Sequence, residues 1–141
     1  MSIAMLDPLD QQILRLLEEN ARRSFSDIAR HVGLTSPAVA ERIKKLEQQG
    51  IIKAYQPVLD KKKLGIGVQA IILVEVRYSD EKKFVHFVQN KSEIVSCNHT
   101  PGPSAFILRV ELEHLDALEA LVSELMNFGQ TVTHILLSAI K

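Results

Sequence analysis

Between Ser24 and Gly50 the chain encodes two helices with almost no room between them, and this spacing limits the fold more than any other feature. Ser24 opens the first as an S-x-x-D cap with Asp27, a short-acid form of the capping box. Ile28, Ala29 and Val32 supply its apolar stripe, and Gly33 stands where a left-handed residue ends a helix. Thr35 is placed to cap the second, Pro37 is tolerated in its first turn, and Val39, Ile43 and Leu46 recur at helical spacing up to Gly50. Ahead of the pair, Asp7-Pro8 is another start signal, with Asp10 in the first turn. Leu9, Ile13, Leu16 and Leu17 then share one face until Asn20, Arg22 and Arg23. Three helices are predicted, the last two joined by a tight turn, with Ala29 small where they cross.

Helix, tight turn, helix is the geometry that places a second helix in the DNA major groove. With Val39, Ile43 and Leu46 inward, the opposite side holds Pro37, Ala40, Glu41, Lys44 and Lys45, with Arg42 on a flank and Ser36 at the start. Small residues admit the helix deep into the groove, and longer ones reach bases or phosphates. Glu41 is suited to accept from a cytosine amino group and Lys44 to donate to guanine. Arg42, Lys45 and the Thr35 or Ser36 hydroxyl suit phosphate. The expected DNA-binding set is therefore Thr35, Ser36, Pro37, Ala40, Glu41, Arg42, Lys44 and Lys45, with double-stranded DNA as partner. A plain three-helix bundle with a polar face is the alternative, and the turn pattern weighs against it.

Charge agrees in its distribution rather than its sum. The chain balances 17 basic against 17 acidic residues. Residues 36–63 hold seven Lys/Arg and three acids, whereas residues 64–141 hold six and nine. A basic middle on a neutral chain suits one DNA-facing element.

Beyond Gly50 the period changes. Residues 51–55 read as extended, and 57–67, with the Lys61-Lys62-Lys63 run, as a connection. The boundary is placed near residue 60: residues 1–60 form a helix-turn-helix domain with a linker strand, and 61–141 a second domain. Strands are predicted at 68–78, 94–100, 105–113 and 132–140, and helices at 80–91 and 115–126, with a Pro101-Gly102-Pro103 turn. Phe84, Phe87 and Val88 face inward from one helix, Leu118, Leu121, Val122 and Leu125 from the other. The order β-α-β-β-α-β is ferredoxin-like, both helices covering one face of an antiparallel sheet. The fold class is α+β: a winged-type helix-turn-helix three-helix domain followed by a ferredoxin-like domain. Apolar residues continue on the uncovered face, as in the Ala70–Val74 run and at Leu136-Leu137, so a second copy is expected to cover it in a homodimer.

Other classes find little support. Hydrophobic residues make up 46%, enough for a core. No apolar run reaches the roughly 18–20 residues of a membrane span, and the start reads as no secretory leader. Cys97 is the single cysteine, so no internal disulfide forms and a cytoplasmic location is expected. Cys97 and His99, two apart on a strand, lack the further ligands of a metal site and the orienting residue of a nucleophile pair. Gly65-x-Gly67 is no phosphate cradle. No catalytic residues, metal or cofactor are assigned, and the chain reads as a non-enzyme. The competing class is a ligand-binding or assembly module whose helix-turn-helix has lost DNA affinity.

The whole chain resembles the Lrp/AsnC (leucine-responsive regulator, or feast/famine) family of transcription regulators. The resemblance rests on Leu6-Asp7 with Asp10 and Ile13-Leu14, then Asn20-Ala21-Arg22, Asp27-Ile28-Ala29 and Gly33-Leu34-Thr35. It continues through Val39-Ala40-Glu41-Arg42-Ile43, Leu46-Glu47, Gly50-Ile51-Ile52 and Leu64-Gly65. It implies dimers formed through a ferredoxin-like ligand-response domain, assembled into octamers that wrap or bend DNA, with amino-acid effectors bound between dimers. Where the family has Gly-x-x-Asp and an aromatic, this chain has Gly102-Pro103-Ser104-Ala105-Phe106, so the carboxylate that would meet an effector ammonium is missing. That turn and Gln130–His134 are similar to LrpC-like members. Thr100, Gly102, Thr131 and Thr133 are the candidate effector-lining residues.

Overall fold

The computed structural model describes residues 6–102 and 106–140. The chain divides into two compact units between Val58 and Leu59.

The first unit is helical: α1 (Pro8–Glu19), α2 (Phe25–Val32) and α3 (Ser36–Gln48). Each begins at a side-chain cap. Asp7 Oδ1 accepts from the Asp10 N–H at 2.8 Å, Ser24 Oγ from Asp27 at 3.1 Å and Thr35 Oγ1 from Ala38 at 3.4 Å. These caps satisfy donors that a helix start leaves unpaired. Gly33 turns the chain between α2 and α3 at φ +71°, a conformation that costs a residue with a Cβ. Ile13, Ile28, Ala29, Val32, Val39 and Ile43 interlock as the core, with Leu9, Leu16, Leu17, Leu34 and Ile52 packed around them. Full burial of each large aliphatic contributes about 1.5–3 kcal/mol.

The expected extension after α3 takes another form. The N–H groups of Ile51 and Ile52 both donate to the Leu46 carbonyl, tucking the chain under the helix end. Residues 51–60 hold no strand, because among the described residues the helical unit offers no strand to pair with.

The second unit runs β1 (Val68–Val76), α4 (Glu81–Gln89), β2 (Ile94–His99), β3 (Phe106–Leu112), α5 (Leu115–Leu125) and β4 (Gly129–Ile135). The sheet order is β2-β3-β1-β4 and every neighbouring pair is antiparallel. Alternate residues of β1 and β3, from Val68 to Val76 and from Phe106 to Leu112, are buried with Phe84, Leu118, Leu121 and Leu125 of the helices. This is the ferredoxin-like α+β arrangement.

The last strand is shifted from its expected span of 132–140. It starts at Gly129, opposite Val76 at the end of β1, where only glycine fits because a Cβ would lie 1.7 Å from the Glu75 carbonyl oxygen. It stops because β1 runs out: Ile135 pairs with Ala70, the Leu136 N–H donates to Gln69 at 2.8 Å, and β1 begins at Val68. Another cap escapes sequence reading, for His114 Nδ1 accepts from the Ala117 N–H at the start of α5.

Candidate nucleic-acid interface

Val39, Ile43 and Leu46 are 0%, 3% and 2% exposed, which fixes the roll of α3. The opposite side then faces water. Thr35, Pro37, Glu41, Lys44 and Lys45 are exposed, and Ser36 and Ala40 are half-buried. Lys44 and Lys45 make no ion pair among the described residues.

Arg42 belongs elsewhere. Its guanidinium pairs with Asp7 Oδ2 at 2.5 Å and Asp10 Oδ1 at 2.8 Å, tying α3 to the start of α1. The Arg42 guanidinium, expected at phosphate, is engaged here by two carboxylates of its own unit. Pairing with these carboxylates raises the Arg42 pKa. The Asp10 backbone N–H and then Arg42 hold the Asp7 carboxyl below its ordinary value.

Ser26 carries no distinct signal in the sequence, yet its hydroxyl meets that of Ser36 at 3.1 Å. The pair bridges the first turns of α2 and α3. The one hint is a hydroxyl two residues past the Ser24 cap.

The outer side of α2 is a closed electrostatic system. Asp27 accepts from Arg23 at 2.7 Å and Arg30 at 3.2 Å, and His31 Nδ1 donates to the Asp27 carbonyl at 2.7 Å. The Arg23 hydrogen bond is the main reason the Asp27 pKa is lowered. After α3, the Tyr55 hydroxyl donates to Glu47 Oε1 at 2.7 Å. Partial burial and then that carboxylate push its pKa up to about 12.

In the sheet unit the four candidate effector residues do not come together within one chain. Thr100 and Gly102 follow β2, whereas Thr131 and Thr133 lie on β4, and these strands are opposite edges of the sheet. Three interstrand spacings, roughly 14 Å, separate them. Ala105 lies outside the described residues.

The sheet face away from the helices has an apolar centre. Leu73 sits between Ile107 on β3 and Val132 on β4, and Ile71 between Arg109 and His134. Val132 is 52% exposed. At one end Lys61 Nζ pairs with Glu111 at 2.9 Å, anchoring the connecting segment to β3.

Cys97 and His99 share the helix-facing side of β2. Cys97 packs against the core, where burial raises its thiol pKa, and the His99 ring lies 4.9 Å from that of Phe106. Among the described residues no three His, Cys, Asp or Glu side chains are grouped to hold a metal. No described helix is long and apolar enough to cross a membrane.

A helix-turn-helix with an exposed polar face, followed in one chain by a ferredoxin-like sheet, defines the class of two-domain DNA-binding transcription regulators. The AsnC-type helix-turn-helix domain matches residues 6–47, and the Lrp/AsnC ligand binding domain matches residues 69–141. The chain belongs to the Lrp/AsnC family of transcription regulators. It is 34% identical to the HTH-type transcriptional regulator LrpC of Bacillus subtilis (strain 168), covering 96% of this chain and 94% of that one. LrpB of the same organism is 30% identical, over 96% and 91%. The solved structure of B. subtilis LrpC superposes with a TM-score of 0.90, covering 96% of this chain and 97% of that one. The regulator NMB0573 of Neisseria meningitidis, solved as a complex with L-Met, is 26% identical at the same TM-score, over 96% and 92%. These relatives are regulators rather than enzymes.

Proposed function

We propose that the chain acts as a homodimer on duplex DNA, each copy laying α3 in a major groove. Pro37, Ala40, Glu41 and Lys44 face base edges, while Lys45 and the Thr35 and Ser36 hydroxyls face phosphate. The carrying observation is the exposed side of α3 opposite Val39, Ile43 and Leu46, where Lys44 and Lys45 make no ion pair among the described residues. Removing one cation that neutralises a phosphate should lower the slope of log affinity against log salt by about 0.9. Binding to the protein's own promoter duplex, measured across a salt series, tests this with Lys44→Ala and Lys45→Ala. Unchanged affinity and slope in both would sink the assignment.

The open sheet face, centred on Leu73, Ile107 and Val132, supports pairing of two copies sheet to sheet. Family resemblance extends this to an octamer, which light scattering of the free protein measures.

A second reading gives the sheet unit an amino-acid effector. Its support is the match to a ligand binding domain and the L-Met bound to a structural relative. Because Thr100 and Gly102 lie at the opposite edge of the sheet from Thr131 and Thr133, a site using all four is assembled between chains. A thermal-shift screen of the amino acids, L-Met included, tests it: no stabilisation by any would leave an effector-independent regulator.

A further inference from the structure

We propose that Arg42 serves DNA binding without touching DNA, as a positioning residue that clasps α3 to the N-terminus of α1. The inference rests on the reading of α3 as the groove-facing helix, and it concerns what holds that helix at its angle.

The core grips α3 along one line, Val39, Ile43 and Leu46. A helix held along a single stripe is restrained least against rolling about its own axis. Successive residues are spaced by about 100° around that axis, so a modest roll carries Glu41 and Lys44 away from the bases they face. Arg42 lies off the stripe, beside Ile43, and reaches residues 35 and 32 positions earlier in the chain. Its partner Asp7 does two jobs at once: Oδ1 caps α1 through the Asp10 N–H, and Oδ2 holds the guanidinium. The anchor is therefore a fixed point of α1 rather than a mobile surface acid. At the other flank, the Ser26–Ser36 contact joins α3 to α2.

The surroundings also turn phosphate away. Asp7, Asp10 and Glu41 share one open notch of about 530 Å³ with Arg42 and Lys45. Three carboxylates against two cations leave that notch net negative. An incoming phosphate would meet repulsion beside Asp7 and Asp10, and Arg42 would have to release both carboxylates to reach it, whereas Lys45 has no ion pair among the described residues to give up.

Arg42→Ala and the double variant Asp7→Asn/Asp10→Asn separate positioning from contact. Asparagine caps a helix as well as aspartate does, so the double variant keeps α1 intact while removing two charges from the clasp. If Arg42 positions α3, both variants weaken duplex binding by roughly 2- to 30-fold, the range of coupling through packed networks. Arg42→Ala then leaves the salt slope unchanged. The double variant is the sharper arm, because removing two negative charges would by itself tighten binding to DNA. A charge exchange, Arg42→Asp with Asp10→Arg, should recover affinity that Arg42→Asp alone loses. The proposal is overturned if Arg42→Ala lowers the slope by about 0.9, or if Asp7→Asn/Asp10→Asn binds as tightly as the unmodified protein. Should Arg42→Ala fail to fold, the Asp→Asn arm decides alone. Failure of the α3 reading looks different: Lys44→Ala and Lys45→Ala would then leave binding and its salt slope unmoved.

Discussion

The two units treat their apolar residues differently. In the helical unit the stripe positions of all three helices meet in one core, and what remains outside is mostly polar, with Phe25, Tyr55 and Val58 as exceptions. In the sheet unit the helices bury one face only, and Leu73, Ile107 and Val132 are left side by side on the other. A helix presents one apolar stripe, which two neighbours can cover. A sheet has two faces, and two helices on the same side leave the second to be covered by something else. On the proposed reading, the contrast separates the surface offered to DNA from the surface offered to another copy of the chain.

The largest effect should come from breaking the second surface. Leu73→Asp would place a charge at the centre of the paired sheets, costing on the order of 3–5 kcal/mol for each uncompensated buried charge. Sedimentation equilibrium should then show a monomer, with duplex binding reduced because paired half-sites are no longer read together. A Leu73→Asp protein that remains dimeric would place the interface elsewhere.

Next in size is Ile28→Ala, which empties a fully buried position of the helical core. A loss of about 2–5 kcal/mol is expected there. Differential scanning calorimetry should show the helical transition moving down while the assembly mass by light scattering is unchanged. Equal shifts of all transitions would mean that the units do not melt separately.

The smallest effect concerns acid. The carboxyls of Asp7 and Asp27 are both lowered below 3.8, chiefly by the Asp10 backbone N–H and by Arg23 respectively. A carboxyl depressed in the folded state stabilises it fully above its unfolded value, and that contribution is lost as pH falls through the folded one. Helical circular dichroism should therefore decline on acidification below about pH 4, and Asp7→Asn should flatten part of that decline. An identical acid profile in Asp7→Asn would remove Asp7 from the balance.

Much of the helical unit was legible because its signals are local. Caps at Asp7, Ser24 and Thr35, the left-handed Gly33 and the inward spacing of Val39, Ile43 and Leu46 all act within a turn or two. The side of α3 that faces water follows from the same spacing. Arg42 shows where such reading ends: a wheel puts it on a flank, but its acid partners lie more than thirty residues earlier, and only packing α3 against α1 brings them into reach. Ser26 escaped for the same reason, since its neighbour Ser36 belongs to another helix.

In the sheet unit, periodicity identified the inward residues of the two helices and left the apolar Ala70–Val74 run of β1 without an assigned inward side. It could not set the ends of β4, which depend on Gly129 meeting Glu75 and on where β1 stops. Nor could it show that Thr100 and Thr133 stand on opposite edges.

The sequence by itself determined the three capped helices, the tight turn, the βαββαβ order and the buried side of each helix. These follow from backbone preference and hydrophobic period, both short-range. Only the tertiary structure decided that Arg42 turns to Asp7 and Asp10, that the effector candidates lie apart within one chain, and that Leu73 centres an open apolar face. Those outcomes depend on which distant segments share space, and local chemistry carries no record of that.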